Sequence, residues 1–482
     1  MRIVAVVCLV VSLAAGARGD LKNDIQTVLG DKLLSRAKVG VEIVQLGAEK
    51  GGDRLLYGHD AQRALIPASN MKVLTTSAAL EILGADFKFR TVLARRDEDL
   101  ILIGDGDPSF GDAELLKKHD WSVTTVFQQW AEQLRKAEMT KFHDVLVDDS
   151  VFDQEFVNPH WPPEQEQSRY VAQVCGMALN ANCIDFYVQN NETGRLVSYR
   201  TDPPTKYVSV YNSCVGGGEN AVWLTRRRGS NQIVLKGSCR ARSEGPISVT
   251  IHDPALYAGA VLAETLAAGG IKLDGVVGRD RTVRAKLMRQ KPGSGFVVLA
   301  VHETPIASVL ARANKDSMNL YGESLCKRIG FAAAGESGSW ENGTAAVGAF
   351  LKKLGAAEQE FNLDDGCGLS RQNAVSTHTM CLVLAHNFHG RNRTAFMESL
   401  AVGGEDGTLQ KRFRQPNLRG KIFAKTGYIA NVSALSGYLK AGETWYAFSI
   451  LMNNLPAGSN SRAKTLQEEI VRAIANQGKG KG

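Results

Sequence analysis

The sequence predicts an α+β protein in which one antiparallel sheet, flanked by helices, is interrupted by an insertion of one or two β-rich domains. Strand-like segments lie near both ends of the chain: KVGVEIVQL and DRLLYGHD near the start, and GKIFAKTGYI, VSALSGYLK and TWYAFSILMNN near the end. Such strands can join one sheet whose faces are covered by helices. Between residues 89 and 294, short strands alternate with glycine and proline, and long helices are fewer.

The composition is that of a globular protein. The chain has 482 residues, of which 44% are hydrophobic and 22% charged, a length that allows about two or three domains. The formal net charge is +7, but lysine and arginine are spread along the chain and no nucleic-acid-binding motif is present. We therefore expect no nucleic acid partner, and a homo-oligomer stays open.

The first 19 residues predict export. Arg2 precedes the apolar run IVAVVCLVVSLAA, and small residues follow at Ala17 and Gly19. This is the pattern of a secretory signal peptide, and the run is too short to span a bilayer comfortably. We expect cleavage before Asp20, no transmembrane segment in the rest of the chain, and a location in the bacterial periplasm or cell envelope.

Seven cysteines follow the predicted signal peptide, and their odd number leaves at least one free thiol unless one pairs between chains. An oxidising compartment permits disulfides. Cys214 and Cys239 flank a glycine-rich, strand-like region and are the best candidates for a pair. The spacings match no zinc site, so we expect no metal and no cofactor.

The segment PASNMKVLTTSAALEILG, residues 67–84, predicts a buried helix that carries a lysine. Apolar residues lie nearly all round it, and Gly84 is a natural stop. Lys72 follows Ser69 by three residues, so the two side chains share a face of the helix. Burial disfavours the charged form and lowers the pKa of a lysine. Lys72 would then be a general base beside a nucleophilic serine.

The same pair has a plainer interpretation. Ser69 could cap the helix while the stem of Lys72 packs and its amine reaches solvent. The spacing recurs at 35–38 and at 461–464. Ser69 and Lys72 alone therefore do not establish a catalytic site.

Two further motifs complete an ordered set. Ser317-Met-Asn319 lies in a polar break between two predicted helices, and Lys425-Thr-Gly lies in a predicted strand. The trio S-x-x-K, S-D-N and K-T-G is characteristic of penicillin-binding proteins and class A β-lactamases. Met318 replaces the middle residue of the second motif, where neither catalytic role resides.

These residue types match the needs of acyl transfer through a serine. Ser69 is the expected nucleophile and Lys72 its base. Ser317 is expected to pass a proton to the leaving amine, while Asn319 holds the amide of the substrate.

The third motif supplies the binding side of the site. Lys425 and Thr426 are expected to bind a free carboxylate, and the charge of Lys425 to keep Lys72 neutral. Gly427 would let a substrate strand lie close to an edge strand. The backbone N–H groups of Ser69 and Tyr428 would form the oxyanion hole.

With these motifs, the chain resembles the D-alanyl-D-alanine carboxypeptidase/endopeptidase family, the class C low-molecular-mass penicillin-binding proteins of the penicillin-binding protein 4 type. The phrases GDGDPSFGD, VDDSVFD, DDGCGLSRQN and GGEDGTLQKRF are also family-like. Ser317 lies 248 residues after Ser69, and Lys425 lies 108 residues after Ser317. The long first gap matches the large insertion of that family.

The resemblance implies a penicillin-binding/β-lactamase-like transpeptidase domain with two nested insertions. The catalytic domain would comprise residues 20–88 and 295–482. Inserted domain II would comprise residues 89–112 and 203–294, and domain III, nested inside it, residues 113–202. The implied activity is cleavage of D-Ala-D-Ala or cross-linked stem peptides of peptidoglycan, with β-lactams as inhibitors.

The resemblance also implies a pocket for a diaminopimelate side chain, built partly from the insertion. The segment HWPPEQEQSRY falls in the corresponding place, so Trp161, Glu164 and Tyr170 are expected to line the pocket, with Glu166 as a competitor of Glu164. Cys367 stands where the family usually has serine, in a loop expected near the site.

Three alternatives compete with this interpretation, two enzymes and one binding protein. A β-lactamase would share the motifs, but its gap between the first two motifs is far shorter. A penicillin-recognising protein that binds peptidoglycan without turnover would not need every catalytic residue, and all are present. A Ser-His-Asp hydrolase is disfavoured because no G-x-S-x-G elbow occurs.

Overall fold

The computed structural model describes residues 20–49, 51–288 and 295–477, so the predicted signal peptide lies outside the described residues. The N-terminal part forms α1 (Leu21–Leu29), β1 (Lys38–Leu46), β2 (Arg54–His59) and α2 (Met71–Ile82). Among the described residues, no helix combines the length and apolarity that crossing a membrane requires.

The middle of the chain is rich in short strands. In chain order its elements are β3 (Lys88–Arg96), β4 (Asp99–Ile103), α3 (Ala113–Leu116), α4 (Thr125–Lys136), β5 (Lys141–Phe142), β6 (Val145–Asp148), β7 (Cys183–Gln189), β8 (Ser198–Asp202), β9 (Ser209–Asn212), β10 (Val215–Gly216), β11 (Ala221–Arg226), β12 (Gln232–Cys239), β13 (Ile247–Thr250), α5 (Pro254–Ala268), β14 (Lys272–Leu273), β15 (Val277–Arg279) and α6 (Val283–Met288).

The C-terminal part begins with a long strand and continues with helices before the final strands. Its elements are β16 (Phe296–Pro305), α7 (Ile306–Asn314), α8 (Asn319–Ala334), α9 (Trp340–Lys353), β17 (Phe361–Asn362), β18 (Ala374–Val375), α10 (Thr377–His389), α11 (Arg393–Ser399), β19 (Ala401–Val402), β20 (Ile422–Ile429), β21 (Val432–Ala441), β22 (Thr444–Asn453) and α12 (Asn460–Gln477).

One six-stranded sheet joins the two ends of the chain, as the sequence predicts. Its order is β19-β20-β21-β22-β1-β2, and every neighbouring pair is antiparallel. The junction is the β1–β22 ladder, which runs from Lys38 opposite Asn453 to Leu46 opposite Trp445. Because side chains alternate between faces along a strand, this sheet has two apolar faces to cover.

Helices cover both faces of the sheet. On one face, α1 and α12 share a core with Val41 and Phe448. On the other face, α2 and α7–α11 share a core with Tyr438 and Leu451. Helix α2 is the innermost element, since every residue from Met71 to Leu80 is buried.

The insertion holds a separate five-stranded sheet with the order β15-β6-β4-β3-β16. Strand β6 lies inside the predicted domain III, and β16 lies inside the predicted catalytic domain. Strand pairing places both with domain II, because β6 pairs with β4 and β16 pairs with β3 along its whole length. The local sequence identifies a strand but not the sheet that the strand joins. The division into domains II and III stays a prediction, with these two strands moved.

The predicted Cys214–Cys239 disulfide is not present in the structure. Both side chains are free thiols, buried in the main core of the insertion. Burial raises the pKa of the Cys214 thiol. A buried thiol in apolar surroundings behaves as a small hydrophobic side chain, so packing accounts for both residues.

A buried ion pair ties the insertion to the helical layer. Asp112 accepts hydrogen bonds from Arg312 Nε at 3.2 Å and Nη2 at 2.9 Å, and from the Tyr321 hydroxyl. Arg312 Nη1 donates to Asp316 at 2.7 Å. Since Asp316 precedes Ser317, Asp112 braces the segment that carries the second motif.

Replacing Asp112 with alanine would leave the Arg312 guanidinium buried without its carboxylate. Removing one partner of a buried pair costs about 3–5 kcal/mol, so we expect Asp112→Ala to lower the free energy of unfolding by about that amount, measured by urea denaturation. The control is Asp60→Ala, whose partner Arg63 has a side chain that is 45% exposed. Equal, small effects of both variants would contradict the bracing role.

Candidate active site

Ser69 lies in a tight turn that two glycines allow. The turn is a 3₁₀ segment, Ala68–Asn70, that leads directly into α2, and Ala68 has a φ of +47°. A Cβ atom on Gly427 of β20 would lie 2.7 Å from the Pro67 carbonyl oxygen, and one on Gly368 would lie 1.8 Å from the Ala68 carbonyl oxygen. Both neighbours therefore need glycine in order to press against the turn. The sequence predicts that Gly427 leaves room for a substrate strand. The packing of the Ser69 turn is a second reason for glycine at this position.

Lys72 is fully buried, and its amine makes three polar contacts. Its Nζ atom lies 3.1 Å from Ser69 Oγ, 2.8 Å from Asn319 Oδ1 and 2.9 Å from the Cys367 carbonyl oxygen. A neutral amine has two N–H donors and one lone pair. The two carbonyl oxygens accept the two N–H groups, which turns the lone pair toward the Ser69 hydroxyl.

Burial lowers the pKa of Lys72, although negative charge near Cys367, Glu323 and Asp365 opposes this shift. The plainer interpretation, in which Ser69 caps the helix and the Lys72 amine reaches solvent, is therefore wrong. Lys72 is 0% exposed, so its amine does not reach solvent. The Ser69 side chain makes no capping hydrogen bond to α2.

Two other matches to the first motif lie on the surface. Ser35 and Lys38 are both exposed, Ser461 is exposed, and Lys464 is only half-buried. A further match, Ser324 and Lys327, is buried, but Lys327 Nζ donates to the carboxylate of Asp153, whereas Lys72 Nζ contacts the hydroxyl of Ser69.

The second and third motifs meet beside this pair. Lys425 Nζ donates to Ser317 Oγ and to the Thr426 carbonyl oxygen, both at 2.8 Å. Ser317 adopts a φ of +58°, in a region that non-glycine residues visit rarely. Because Ser317 Oγ accepts from Lys425, its own hydroxyl hydrogen is free to point into the cleft.

The two buried lysines share one environment. Burial, and then the charge of Lys72, hold the pKa of Lys425 well below its ordinary value. Two ammonium groups in one buried site disfavour each other. The contacts favour a neutral Lys72, whose two N–H groups are both used. In its neutral form Lys425 likewise donates both of its N–H groups, to Ser317 and to Thr426. A carboxylate bound there would restore the charge of Lys425.

Strand β20 is accessible from one side. Strand β19 pairs with β20 only at Phe423 and Ala424, so the strand is an edge from Lys425 onward. Thr426 Oγ1 lies 3.0 Å from Thr408 Oγ1. Tyr428 is 56% exposed.

The loop at Asp365 is part of the site, although only its position nearby is predicted from the sequence. Asp365 Oδ1 accepts from the backbone N–H groups of Cys367 and Gly368 and from Asn373 Nδ2. The loop thereby presents the Cys367 carbonyl oxygen to Lys72. The contact uses the backbone of Cys367 and not its thiol, so a cysteine in place of the family's usual serine leaves it intact.

A cavity of about 820 Å³ opens at Ser69. The insertion forms one of its walls, and residues near Tyr428 form the opposite wall. Its lining residues are Ser69, His160, Trp161, Pro162, Pro163, Glu164, Gln165, Tyr170, Asn319, Gly368, Leu369, Arg371, Tyr428, Ile429 and Ala430.

The structure places all three predicted pocket residues in this cavity, but in different ways. Trp161 is only 3% exposed, and its indole N–H donates to Asp365 Oδ2 at 2.9 Å. Tyr170 is 45% exposed, and its carbonyl oxygen accepts from Asn319 Nδ2 at 2.8 Å. Glu164 is exposed in the cavity, whereas Glu166 turns away from it and binds Arg228 at 3.0 Å.

Sequence reasoning missed three residues at the site. Arg371 lines the cavity and donates to the Ala430 carbonyl oxygen at 2.6 Å. Asp365 holds the loop, and Glu323 lies fully buried beside it. The signal for Glu323 was the same as for Lys72, namely a charged side chain in a helix that packs into the core.

The chain matches known proteins along nearly all of its length. The model of the D-Ala-D-Ala carboxypeptidase 3 (S13) family matches residues 21–477. A D-alanyl-D-alanine carboxypeptidase from Actinomadura sp. (strain R39) is 33% identical over 466 residues, which cover 91% of this chain and 82% of that protein. D-alanyl-D-alanine carboxypeptidase DacB from Haemophilus influenzae is 26% identical over 446 residues, which cover 88% of each protein.

The fold has a solved counterpart. The crystal structure of penicillin-binding protein 4 (dacB) from Haemophilus influenzae superposes with a TM-score of 0.75 at 24% identity, and the match covers 94% of this chain and 99% of that chain. This likeness confirms the predicted α+β penicillin-binding fold. The family match confirms the predicted enzyme class, a serine-type D-Ala-D-Ala carboxypeptidase. The chain belongs to the D-Ala-D-Ala carboxypeptidase 3 (S13) family.

Proposed function

We propose that the enzyme cleaves D-Ala-D-Ala in peptidoglycan stem peptides, and the equivalent bond in cross-linked peptides, through an acyl-enzyme on Ser69. The observation that supports this most directly is the contact between Ser69 Oγ and the buried Lys72 amine, 3.1 Å apart. Carboxypeptidase and endopeptidase activities use the same chemistry and differ only in whether the leaving amine belongs to free D-alanine or to a second stem.

Acylation begins when Lys72 takes the hydroxyl proton of Ser69. Ser69 Oγ then forms a bond to the carbonyl carbon of the penultimate D-alanine, and the N–H groups of Ser69 and Tyr428 stabilise the oxyanion. The C–N bond breaks as Ser317 passes a proton to the leaving amine. Ser317 regains a proton from Lys72, which returns that lysine to its neutral form.

Deacylation repeats the sequence with water in place of the serine. Lys72 takes a proton from water, the hydroxide adds to the ester carbonyl, and Ser69 leaves with the proton. β-Lactams would acylate Ser69 in the same geometry, because the strained ring presents an equivalent carbonyl. Only the rate of this second step separates the proposal from a β-lactamase or from a binding protein without turnover.

Lys425 and Thr426 are proposed to bind the free carboxylate of the terminal D-alanine. Both lie where β20 becomes an edge strand, and protonation of Lys425 on carboxylate binding would supply an N–H beyond its contacts with Ser317 and Thr426. Asn319 would hold the substrate amide, since its side chain already bridges Lys72 and the Tyr170 carbonyl oxygen.

Glu164 is proposed to receive the free amine of a diaminopimelate side chain. It lines the cavity, whereas the carboxylate of Glu166 is occupied by Arg228. Trp161 would shape this pocket from behind and Tyr170 from the rim. Export to the periplasm or cell envelope would place the enzyme beside its substrate, and a homo-oligomer stays open.

We expect Ser69→Ala to abolish covalent labelling by a fluorescent penicillin, because the variant lacks the atom that forms the ester. Its circular dichroism spectrum and melting temperature should match those of the wild type. Ser461→Ala, which changes the surface copy of the motif, is the control and should label normally. A labelled peptide that maps to Ser35 or Ser461 would refute the assignment.

We expect Lys72→Arg to slow acylation by about 10²–10⁴-fold, since a guanidinium stays protonated and general-base catalysis is lost. In the wild type, the acylation rate should fall as pH decreases through the lowered pKa of Lys72, well below the value of about 10.4 for a free lysine. Stopped-flow labelling at several pH values measures both effects. Lys38→Arg is the matched control, and a normal rate in Lys72→Arg would show that another group takes the proton.

We expect Glu164→Gln to lower kcat/KM on diaminopimelate-type peptides by about tenfold to a hundredfold, the worth of one charged hydrogen bond. Penicillin acylation should not change, because penicillin lacks the amine. Glu166→Gln is the control, since that side chain faces Arg228. If Glu166→Gln depressed peptide turnover and Glu164→Gln did not, the pocket would be assigned to the wrong glutamate.

A further inference from the structure

Glu323 is a buried carboxyl group that the proposed mechanism does not use. It lies in α8, four residues after Asn319, and is 0% exposed. Its Oε2 atom accepts from Trp340 Nε1 at 2.6 Å and from the Gly366 backbone N–H at 3.0 Å. Its Oε1 atom is buried without a hydrogen-bond partner among the described residues. An ionised carboxylate would be costly in this half-satisfied state.

Asp365, the neighbour of Glu323, is hydrogen-bonded on both oxygens. Besides its three contacts through Oδ1, Asp365 Oδ2 accepts from the Ser370 backbone N–H at 2.7 Å and from Trp161 Nε1 at 2.9 Å. Five donors stabilise the ionised form. Carboxyl oxygens of Glu323 and Asp365 and the sulfur of Cys367 lie within 4.8 Å of one another. These donors already occupy Asp365, which argues against a metal ion there.

Two buried carboxylates this close disfavour joint ionisation. Asp365 receives five hydrogen bonds and Glu323 only two, so Glu323 is the carboxyl group that retains a proton more readily. Burial, and then the charge of Asp365, raise the pKa of Glu323 to about 7 from its ordinary 4.5.

The charged and titratable groups around Glu323 come from four elements. Lys72 faces it from α2, Asp365 and Cys367 from the loop, and the Trp340 indole N–H from α9. On α8 itself, Lys327 is turned to the insertion, where its Nζ donates to Asp153 Oδ1 and to the Glu155 carbonyl oxygen, both at 2.6 Å. Cys326 is also on α8, and burial holds the pKa of its thiol well above the ordinary value.

We propose that Glu323 is a positioning residue that is an uncharged carboxylic acid at mildly acidic pH, anchors the Gly366 backbone, and so holds the Cys367 carbonyl oxygen against the neutral Lys72 amine. The proposal deepens the proposed function, on which its kinetic part rests. A neutral Glu323 leaves Asp365 as the one nearby negative charge, so Lys72 is not driven to its protonated form. Ionisation of Glu323 would add a second negative charge and raise the pKa of Lys72.

The test compares Glu323→Gln, Glu323→Leu and a control, Glu360→Gln. Glutamine keeps an acceptor for Trp340 and Gly366 and mimics the neutral acid, whereas leucine keeps the volume without any acceptor. Glu360 is another buried glutamate, and its carboxylate binds the Ser376 and Thr379 hydroxyl groups instead. Each protein is measured by penicillin acylation, peptide turnover, thermal melting and infrared spectroscopy between about pH 4 and about pH 9, a range that brackets the ordinary and the raised pKa of Glu323.

The kinetic readouts report the positioning role. Glu323→Gln should acylate within about twofold of the wild-type rate near pH 5. The acid limb of its pH profile should lie at the same pH as that of the wild type or at a lower pH, because a neutral amide cannot raise the pKa of Lys72. Glu323→Leu should lose about a hundredfold in kcat with little change in KM, the scale expected for a base displaced by about 1 Å. An acid limb moved to higher pH in Glu323→Gln, or normal kcat in Glu323→Leu, would overturn the proposal.

The other readouts require no activity and separate this proposal from the proposed function. The difference spectrum of the wild type minus Glu323→Gln near pH 5 (about two units below the raised pKa) should contain the infrared band of one protonated carboxylic acid, because the other carboxyl groups contribute equally to both proteins. A group whose pKa is raised on folding stabilises the protein below its unfolded pKa and loses that contribution as pH rises. The wild-type melting temperature should therefore fall relative to Glu323→Gln between pH 4.5 and about 7, with no such trend in Glu360→Gln. If the acid band is missing, or if the melting temperatures of the wild type and Glu323→Gln differ by the same amount at every pH, Glu323 is ionised. Either result would refute the proposal even if Ser69 is acylated normally.

Discussion

The structure depends on keeping the amine of Lys72 out of water without leaving it unpaired. A buried amine needs acceptors, and the chain brings them from two distant segments, Asn319 and Cys367. Each acceptor is itself held in place: Asn319 by the backbone of Tyr170, and Cys367 by the carboxylate of Asp365. The central position of α2, covered on every side, follows from the same requirement.

The insertion forms one wall of the cavity and also makes hydrogen bonds and ion pairs to the segments that hold the site. Asp112 binds Arg312 in the helical layer, Asp153 binds Lys327, and Trp161 binds Asp365. All three contacts fall on segments that adjoin a motif or the loop that holds Lys72. In the proposed function, the side chains that select the substrate also hold the catalytic geometry. A substitution in the pocket wall is therefore expected to displace the reacting atoms.

Much of the fold and the three motifs could be predicted from the sequence, because strand alternation and motif spacing are local signals. The individual side-chain contacts between distant segments could not. The Lys72–Cys367 contact spans 295 residues, and nothing in the residues near Cys367 indicates it. Local reasoning also could not separate Glu164 from Glu166, which differ only in the direction that a short turn gives each side chain. Trp161 lines the cavity as expected, but the hydrogen bond of its indole N–H to the buried carboxylate of Asp365 could not be predicted from the local sequence.

The pairing of β1 with β22 has a consequence for the order of assembly. The nucleophile belongs to the first segment to be synthesised, yet its helix packs against a sheet whose central strand, β22, is among the last. Contacts between the two chain ends are slow to form because a long loop must close first. Lys425 also arrives late, on β20. A nascent chain therefore carries Ser69 for most of its synthesis without the surroundings that make it reactive. The candidate site is therefore complete only once the final strands are in place.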